Sequence, residues 1–239
     1  MRLYLAAPPH LLREAGKWGL TPVHMAYRIA GGVFMRDAGS DAVGGAMALR
    51  VSGGAGPELA RDVLRECRVR SFEGVFLESE DGAPLTPFAQ ALAAETSVRY
   101  GSGGKNYGAF ISTEVYRGSF AESVRRAAGN APFRAAADLS VGFRLYSPPC
   151  PDGRCSRLTG AEAAKYLASA GKSFFSEKLC VNYTAVFAGG RARFLLFDTP
   201  ESVASKICAL RAAGIESAVL LYSENTPDTL RAAIAAAGK

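Results

Sequence analysis

About eight times along its 239 residues, the chain passes from a short apolar or β-branched run to a helical segment. Repeated strand–helix units imply parallel strands joined by helical crossovers, which narrows the fold more than any other feature. Candidate strands are residues 3–7, 23–29, 46–51, 74–78, 108–113, 139–145 and 218–222, with a shorter run at 173–175. Helix starts are marked by Pro57, Pro87, Pro200 and Pro227, three of them behind Thr86, Thr199 and Thr226 as N-cap candidates. Thr159 with Glu162 three residues on forms a capping box ahead of a helix over 163–170. The helix from Pro200 sets Val203, Ile207 and Leu210 on one face and stops at Gly214. Eight such units in ~240 residues is the size of a compact (β/α)8 barrel. A doubly wound open sheet is the main rival. It would run from its first strand into a glycine-rich phosphate turn, whereas this chain meets Ala7-Pro8-Pro9-His10. Residues 181–198 break the alternation and read as an antiparallel hairpin turning at Gly189-Gly190. With no internal repeat and no Pro/Ser-rich linker, residues 1–239 are expected to form one barrel domain carrying that hairpin.

Composition removes several classes of protein. With 49% apolar and 21% charged residues, the chain can bury a core and is not largely disordered. No apolar run approaches the ~20 residues that span a bilayer, and residues 1–9 are too soon broken by proline for a signal peptide. A cytoplasmic location with no membrane partner is therefore expected. Five cysteines (Cys67, Cys150, Cys155, Cys180, Cys208) suit reduced thiols better than a disulfide framework. Cys150 and Cys155 fit a loop disulfide, half of a metal site or two free thiols. No second Cys/His pair completes a zinc set, which favours free thiols. The net charge of +6 is spread along the chain without a Lys/Arg-dense tract, so nucleic acid ranks last among partners.

Familiar catalytic motifs fail one by one. Gly101-Ser102-Gly103-Gly104-Lys105 resembles part of a phosphate-binding loop, but Arg99 stands where the pattern needs Gly and Asn106 where it needs Ser or Thr. No nucleophile elbow or H-E-x-x-H occurs, and His10 and His24 are the only histidines. Chemistry must rest on carboxylates, tyrosines and amides, and neither a metal nor a cofactor is assigned.

The most informative segment is residues 71–80, Ser-Phe-Glu-Gly-Val-Phe-Leu-Glu-Ser-Glu. Alternation along a strand puts Phe76, Glu78 and Glu80 on one face and Val75 and Leu77 on the other. In a barrel the aliphatic pair faces the helices and the carboxylates face the axis. Glu80 then falls at the strand's C-terminal rim, where barrel active sites lie. Two carboxylates at i, i+2 compete for ionisation, and raising one pKa produces a general acid for work near neutral pH. The bland alternative is a solvated turn at Glu80-Asp81-Gly82 with Glu78 pointing into water.

This segment resembles the signature strand of the family 18 glycoside hydrolases, D-G-x-D-x-D-x-E. Glu73-Gly74 stands at the D-G, Phe76 at the second Asp, Glu78 at the third and Glu80 at the terminal Glu. Val51-Ser52-Gly53-Gly54 resembles a slipped form of the family's S-x-G-G after the third strand, and residues 23–27 resemble its second strand. Residues 138–146 resemble the sixth strand, which usually ends M-x-Y-D; here the tyrosine falls one place late and Ser147 replaces the Asp. Residues 193–202, followed by Lys206 and Gly214-Ile215, are similar to the closing hairpin, helix and last strand of spore-type and LysM-associated members.

The resemblance implies a barrel acting on N-acetylhexosamine-containing glycans, among them peptidoglycan fragments, with a carbohydrate ligand as partner. It makes Glu80 the acid that protonates the glycosidic oxygen and Glu78 the group steering the substrate's 2-acetamido nucleophile, with Tyr146 assisting. Tyr27, Tyr146 or Tyr222 would build a sugar-stacking floor, and Phe76 joins Tyr27 and Tyr222 as a substrate-binding candidate. The departures point to weak activity. Glu78 is one methylene longer than Asp, Phe76 removes the inner carboxylate, and Leu221-Tyr222 stands where the family usually has Trp. A catalytically impaired barrel that binds a saccharide or a protein through the same cleft is the alternative.

Overall fold

The computed structural model describes residues 1–38, 42–82, 85–100, 108–115, 117–130, 133–148, 155–188 and 190–238. In chain order the elements begin with β1 (Arg2–Ala7), α1 (Leu12–Gly16), β2 (Thr21–Ala30), β3 (Val33–Arg36), β4 (Ala46–Ser52), α2 (Pro57–Arg70) and β5 (Gly74–Ser79). They continue through α3 (Thr86–Ala93), β6 (Ser97–Tyr100), β7 (Gly108–Ser112), α4 (Phe120–Asn130), β8 (Phe133–Asp138), β9 (Phe143–Tyr146) and β10 (Ser156–Leu158). The last are α5 (Gly160–Ser169), β11 (Ser173–Ser176), β12 (Val181–Ala188), β13 (Arg191–Phe197), α6 (Pro200–Ala212), β14 (Ser217–Leu221) and α7 (Pro227–Gly238). The Gly101–Lys105 turn and Cys150, and with Cys150 its pairing to Cys155, lie outside the described residues.

The chain divides into two compact units. One comprises Met1–Ile111, Arg126–Asp138 and Ile215–Ser223; the other comprises Ser112–Arg125, Leu139–Gly214 and Glu224–Lys239. The sequence led to one domain carrying a hairpin, and that hairpin turns out to be the centre of a five-stranded sheet in the second unit.

In the first unit the strands run in the order β1-β14-β8-β7-β6-β5-β4-β2, and β1 pairs with β2 to return the order to its start. This closes a ring. The registers of β1 with β14 and β2, of β2 with β4, and of β4 through β7 are all parallel. The expected α/β barrel is therefore present, with β3 added antiparallel to the outer part of β2. Alternation separates two cores. Met47, Leu49, Val51, Val75 and Leu77 pack outward against Leu59, Val63 and Leu64 of α2 and Phe88 and Leu92 of α3. Tyr4, Ala6, Val23, Ala46 and Val219 fill the inside with Met25, Ala48, Phe76 and Leu221.

Counted along the chain, the sixth ring strand is β7 and the seventh is β8. The match of residues 138–146 to a sixth strand is therefore corrected: Asp138 ends β8, and Tyr146 ends β9 in the other sheet. The chain turns out of the ring at Leu139–Gly142, where the Ser140 N–H donates to the Thr113 hydroxyl at 3.2 Å. Ser97–Tyr100 and Phe133–Asp138 are ring strands that apolar patterning missed, the first short and the second alanine-rich.

The second unit holds an antiparallel sheet in the order β10-β9-β13-β12-β11. The run at 173–175 is its edge strand β11, not a ring strand. One face carries Leu145, Val186 and Leu195 packed with Tyr166 and Leu167 of α5. The anticipated capping box is formed at Thr159 with Glu162, and Thr199, expected as an N-cap, forms a second one with Ser202. Thr86 is instead the first residue of α3, with Leu85 before it.

Candidate functional site

Glu78 and Glu80 stand at the C-terminal end of β5, Glu78 inside the strand and Glu80 one residue beyond it. Val75 and Leu77 belong to the outward core and Phe76 to the inward one, so the alternation that fixes them also turns Glu78 inward. The ladder with β4 persists past the strand, because the Glu80 N–H donates to the Val51 carbonyl at 2.9 Å. Both side chains are exposed.

Arg50 is the residue in register with Glu78, on the inward face of β4 with Ala46 and Ala48. Its Nη1 lies 3.5 Å from Glu80 Oε1, each side chain about half exposed, which places Glu80 on the same side of the sheet. An ion pair this exposed contributes only ~0.2–1 kcal/mol, so it orients the carboxylate more than it stabilises the fold. Beside it, Asp81 ties the rim together. Its Oδ2 accepts from the Gly53 N–H at 2.6 Å and its Oδ1 from the Ser79 hydroxyl at 3.3 Å. Gly53 has φ +81, a conformation that favours glycine at this turn. At the other end of β5, a Cβ on Gly74 would sit 2.6 Å from the Ser97 carbonyl oxygen, so the close approach of β5 and β6 requires the glycine.

The remaining expected site residues are scattered. Phe76 packs inside the ring against Tyr4, ring centroids 5.2 Å apart and nearly perpendicular. It lines a cavity of about 170 Å³ at the strands' N-terminal end, beside the Arg2–Glu73 ion pair at 2.7 Å. Tyr222 follows β14 at the C-terminal end and is half-buried. Tyr146 belongs to the second unit, paired with Phe194 across β9 and β13.

Tyr27 requires a correction. It is 3% exposed, packs against Phe34 and Phe72, and its hydroxyl donates to Glu66 of α2 at 3.3 Å. It faces the helices and forms no part of a floor inside the ring. The cause is a bulge in β2. His24 pairs with Met47 and Tyr27 with Leu49, leaving Met25 and Ala26 opposite Ala48 alone. One extra residue reverses the facing of everything after it. Ile29 consequently joins the outward core, and Arg28, in register with Arg50, turns inward. Arg50 was legible from alternation on β4, but no sequence signal announced the bulge that brings Arg28 beside it.

Among the described residues, no group of three or more His, Cys, Asp or Glu side chains is placed to hold a metal ion. None of their helices is long and apolar enough to cross a membrane. His24 is buried against Phe72, with its Nε2 2.9 Å from the Gly44 carbonyl, and burial holds its pKa below the usual imidazole range. It supports the outward core and does not reach the rim.

No family model matches the chain, and no curated protein sequence does. Solved structures do. A family 18 N-acetylglucosaminidase from Paenibacillus barengoltzii superposes with TM-score 0.69 at 12% identity, covering 98% of this chain and 99% of its own. A chitinase from Chromobacterium violaceum gives 0.68 at 14% identity, covering 99% of both chains. The Bacillus cereus spore cortex-lytic enzyme SleL gives 0.69 at 11% identity, over 98% of this chain and 73% of that one. Likeness at these identities concerns the fold alone. The fold of this chain is a barrel of the family 18 glycoside hydrolase type.

Proposed function

We propose that the C-terminal mouth of the ring binds N-acetylhexosamine-containing glycans and hydrolyses them slowly, with Glu80 as general acid. The observation that carries this reading is the position of Glu78 and Glu80, adjacent on the inward side at the end of the fourth ring strand. That is the rim where barrel chemistry is housed. In the proposed reaction the acetamido oxygen of the substrate attacks the anomeric carbon while the C–O bond to the leaving sugar breaks. Glu80 gives its proton to the departing oxygen, and Glu78 accepts a hydrogen bond from the acetamide N–H. Water then opens the cyclic intermediate and returns a proton to Glu80. The fold likeness to an N-acetylglucosaminidase and to a chitinase supports the choice of sugar.

A second reading, a barrel that binds saccharide without cleaving it, is favoured by the Arg50–Glu80 ion pair and by Phe76, which leaves one fewer carboxylate inside the ring. Chromogenic N-acetylglucosaminides separate the two readings. Glu80→Gln is expected to lower turnover at least ~100-fold, the usual yield of a positioned acid. Equal turnover by both proteins removes Glu80 from the chemistry. Binding without turnover across a glycan panel establishes the second reading.

A further inference from the structure

Arg28 and Arg50 stand abreast on β2 and β4, both on the inward face at the ring's C-terminal end and both exposed. Like charges directly opposite one another in a sheet are destabilising. Their settings differ. Arg50 has Glu80 within 3.5 Å, whereas Arg28 has no ion-pair or hydrogen-bond partner among the described residues. Arg28 reaches the inward face only because of the β2 bulge. On the far side of Arg50, Glu78 is also exposed and also without a partner among the described residues. Across β2, β4 and β5 the mouth therefore presents an open guanidinium, a closed ion pair and an open carboxylate. The two open groups sit two strands apart, about 10 Å at the backbone.

We infer that this mouth selects an acidic glycan, one whose carboxylate is carried on the sugar next to the N-acetylated sugar held at Glu78. Arg28 is the specificity-determining residue. Its planar fork accepts both oxygens of a carboxylate, and the ligand's negative charge offsets the repulsion between the two arginines. Glu78 repels a carboxylate at its own end, so the acidic group is confined to the β2 side and the donors of the acetamide and hydroxyls to the β5 side. A neutral glycan leaves Arg28 solvated and gains nothing from it. The inference rests on the glycan reading above and adds the class of sugar.

The test uses calorimetric titration of the intact protein with three probes. These are chitotetraose, the peptide-free tetrasaccharide of alternating N-acetylglucosamine and N-acetylmuramic acid, and that same tetrasaccharide with its carboxylates converted to amides. The acidic tetrasaccharide is expected to bind at least about tenfold more tightly than its amide, with the advantage shrinking as salt is raised. Arg28→Gln is expected to bring the acid down to the level of the amide without weakening chitotetraose. Equal affinity of the wild type for acid and amide overturns the acidic selectivity while leaving the glycan reading intact. Discrimination that survives in Arg28→Gln overturns the assignment of that selectivity to Arg28. Failure of all three probes to bind overturns both. The acid–amide comparison is made on the unmutated protein, so its outcome does not depend on how a variant folds.

Discussion

Asp198, Ser202 and Lys206 fall four residues apart, so one face of α6 and its entry collects an acid, a hydroxyl and an amine. The Lys206 ammonium donates to Asp198 Oδ2 at 2.9 Å and the Ser202 hydroxyl to Oδ1 at 2.8 Å, with both charged side chains 5% exposed. Removing one member of a buried pair leaves the other charge without compensation, at a typical cost of about 3–5 kcal/mol. Lys206→Met is therefore expected to lower unfolding free energy by that amount in urea titrations. The double variant Asp198→Asn/Lys206→Met should recover most of the loss. A single-variant loss below about 1 kcal/mol would mean that Asp198 finds another partner or water. Glu78 and Glu80 were legible in the sequence from their spacing, whereas the cluster of Asp198, Ser202 and Lys206 emerges only from the structure. Tyr27 was not legible, because a side chain's facing depends on the count of residues in its strand, and a bulge changes that count without leaving a mark in composition.

Elements were legible where apolar or β-branched residues run together. β1, β2, β4, β5, β7 and β14 announced themselves by such runs, buried on both faces in β1 and β14, and α2, α6 and α7 by proline in the first turn. β6 and β8 are paired on both sides by their neighbours, and their place comes from ring closure more than from β propensity. The end of α2 carries a strain that the sequence also hides. Ser71 sits at φ +55 with its N–H on the Arg68 carbonyl, a left-handed cap occupied by a residue with a Cβ. That conformation costs a non-glycine residue ~1–2 kcal/mol. Ser71→Gly should raise stability by ~1 kcal/mol, the gain being partly offset by glycine's extra freedom in the unfolded chain. Thermal unfolding checks this, and a fall in Tm would show that the Ser71 side chain contributes more than its backbone costs.

For the whole molecule, acid is expected to act in two windows. Burial lowers the His24 pKa in the folded protein, so below the ordinary value of 6.5 the unfolded chain takes up a proton that the folded chain refuses. Stability is then independent of this group above pH 6.5 and falls as pH drops below it. Glu14, paired with Lys17, and Glu162 and Glu201 at helix N-termini have pKa values lowered chiefly by hydrogen bonds. Their contributions are present above pH 4.5 and are lost below it. Urea midpoints from pH 8 to 4 should show the first decline in the wild type and a flatter profile in His24→Gln. Superimposable profiles would exclude His24 as its source. The closed parallel ring was legible at this scale because strand–helix alternation with short links has few other solutions. Of the second sheet only the central hairpin was legible as such: the runs at 139–145 and 173–175, which hold most of β9 and β11, read as units of the strand–helix alternation, and β10, three residues long, left no signal.

The doubled position at Met25–Ala26 works as a phase setting for the rest of β2. Excising one of these two residues would shift the remainder by half a period. An aromatic ring and an isoleucine would then be presented to the lumen, while a guanidinium was driven against α2. Related chains that differ by a single insertion or deletion at this point would thus display an aromatic, neutral-sugar entrance or a cationic one, with no substitution elsewhere in the barrel.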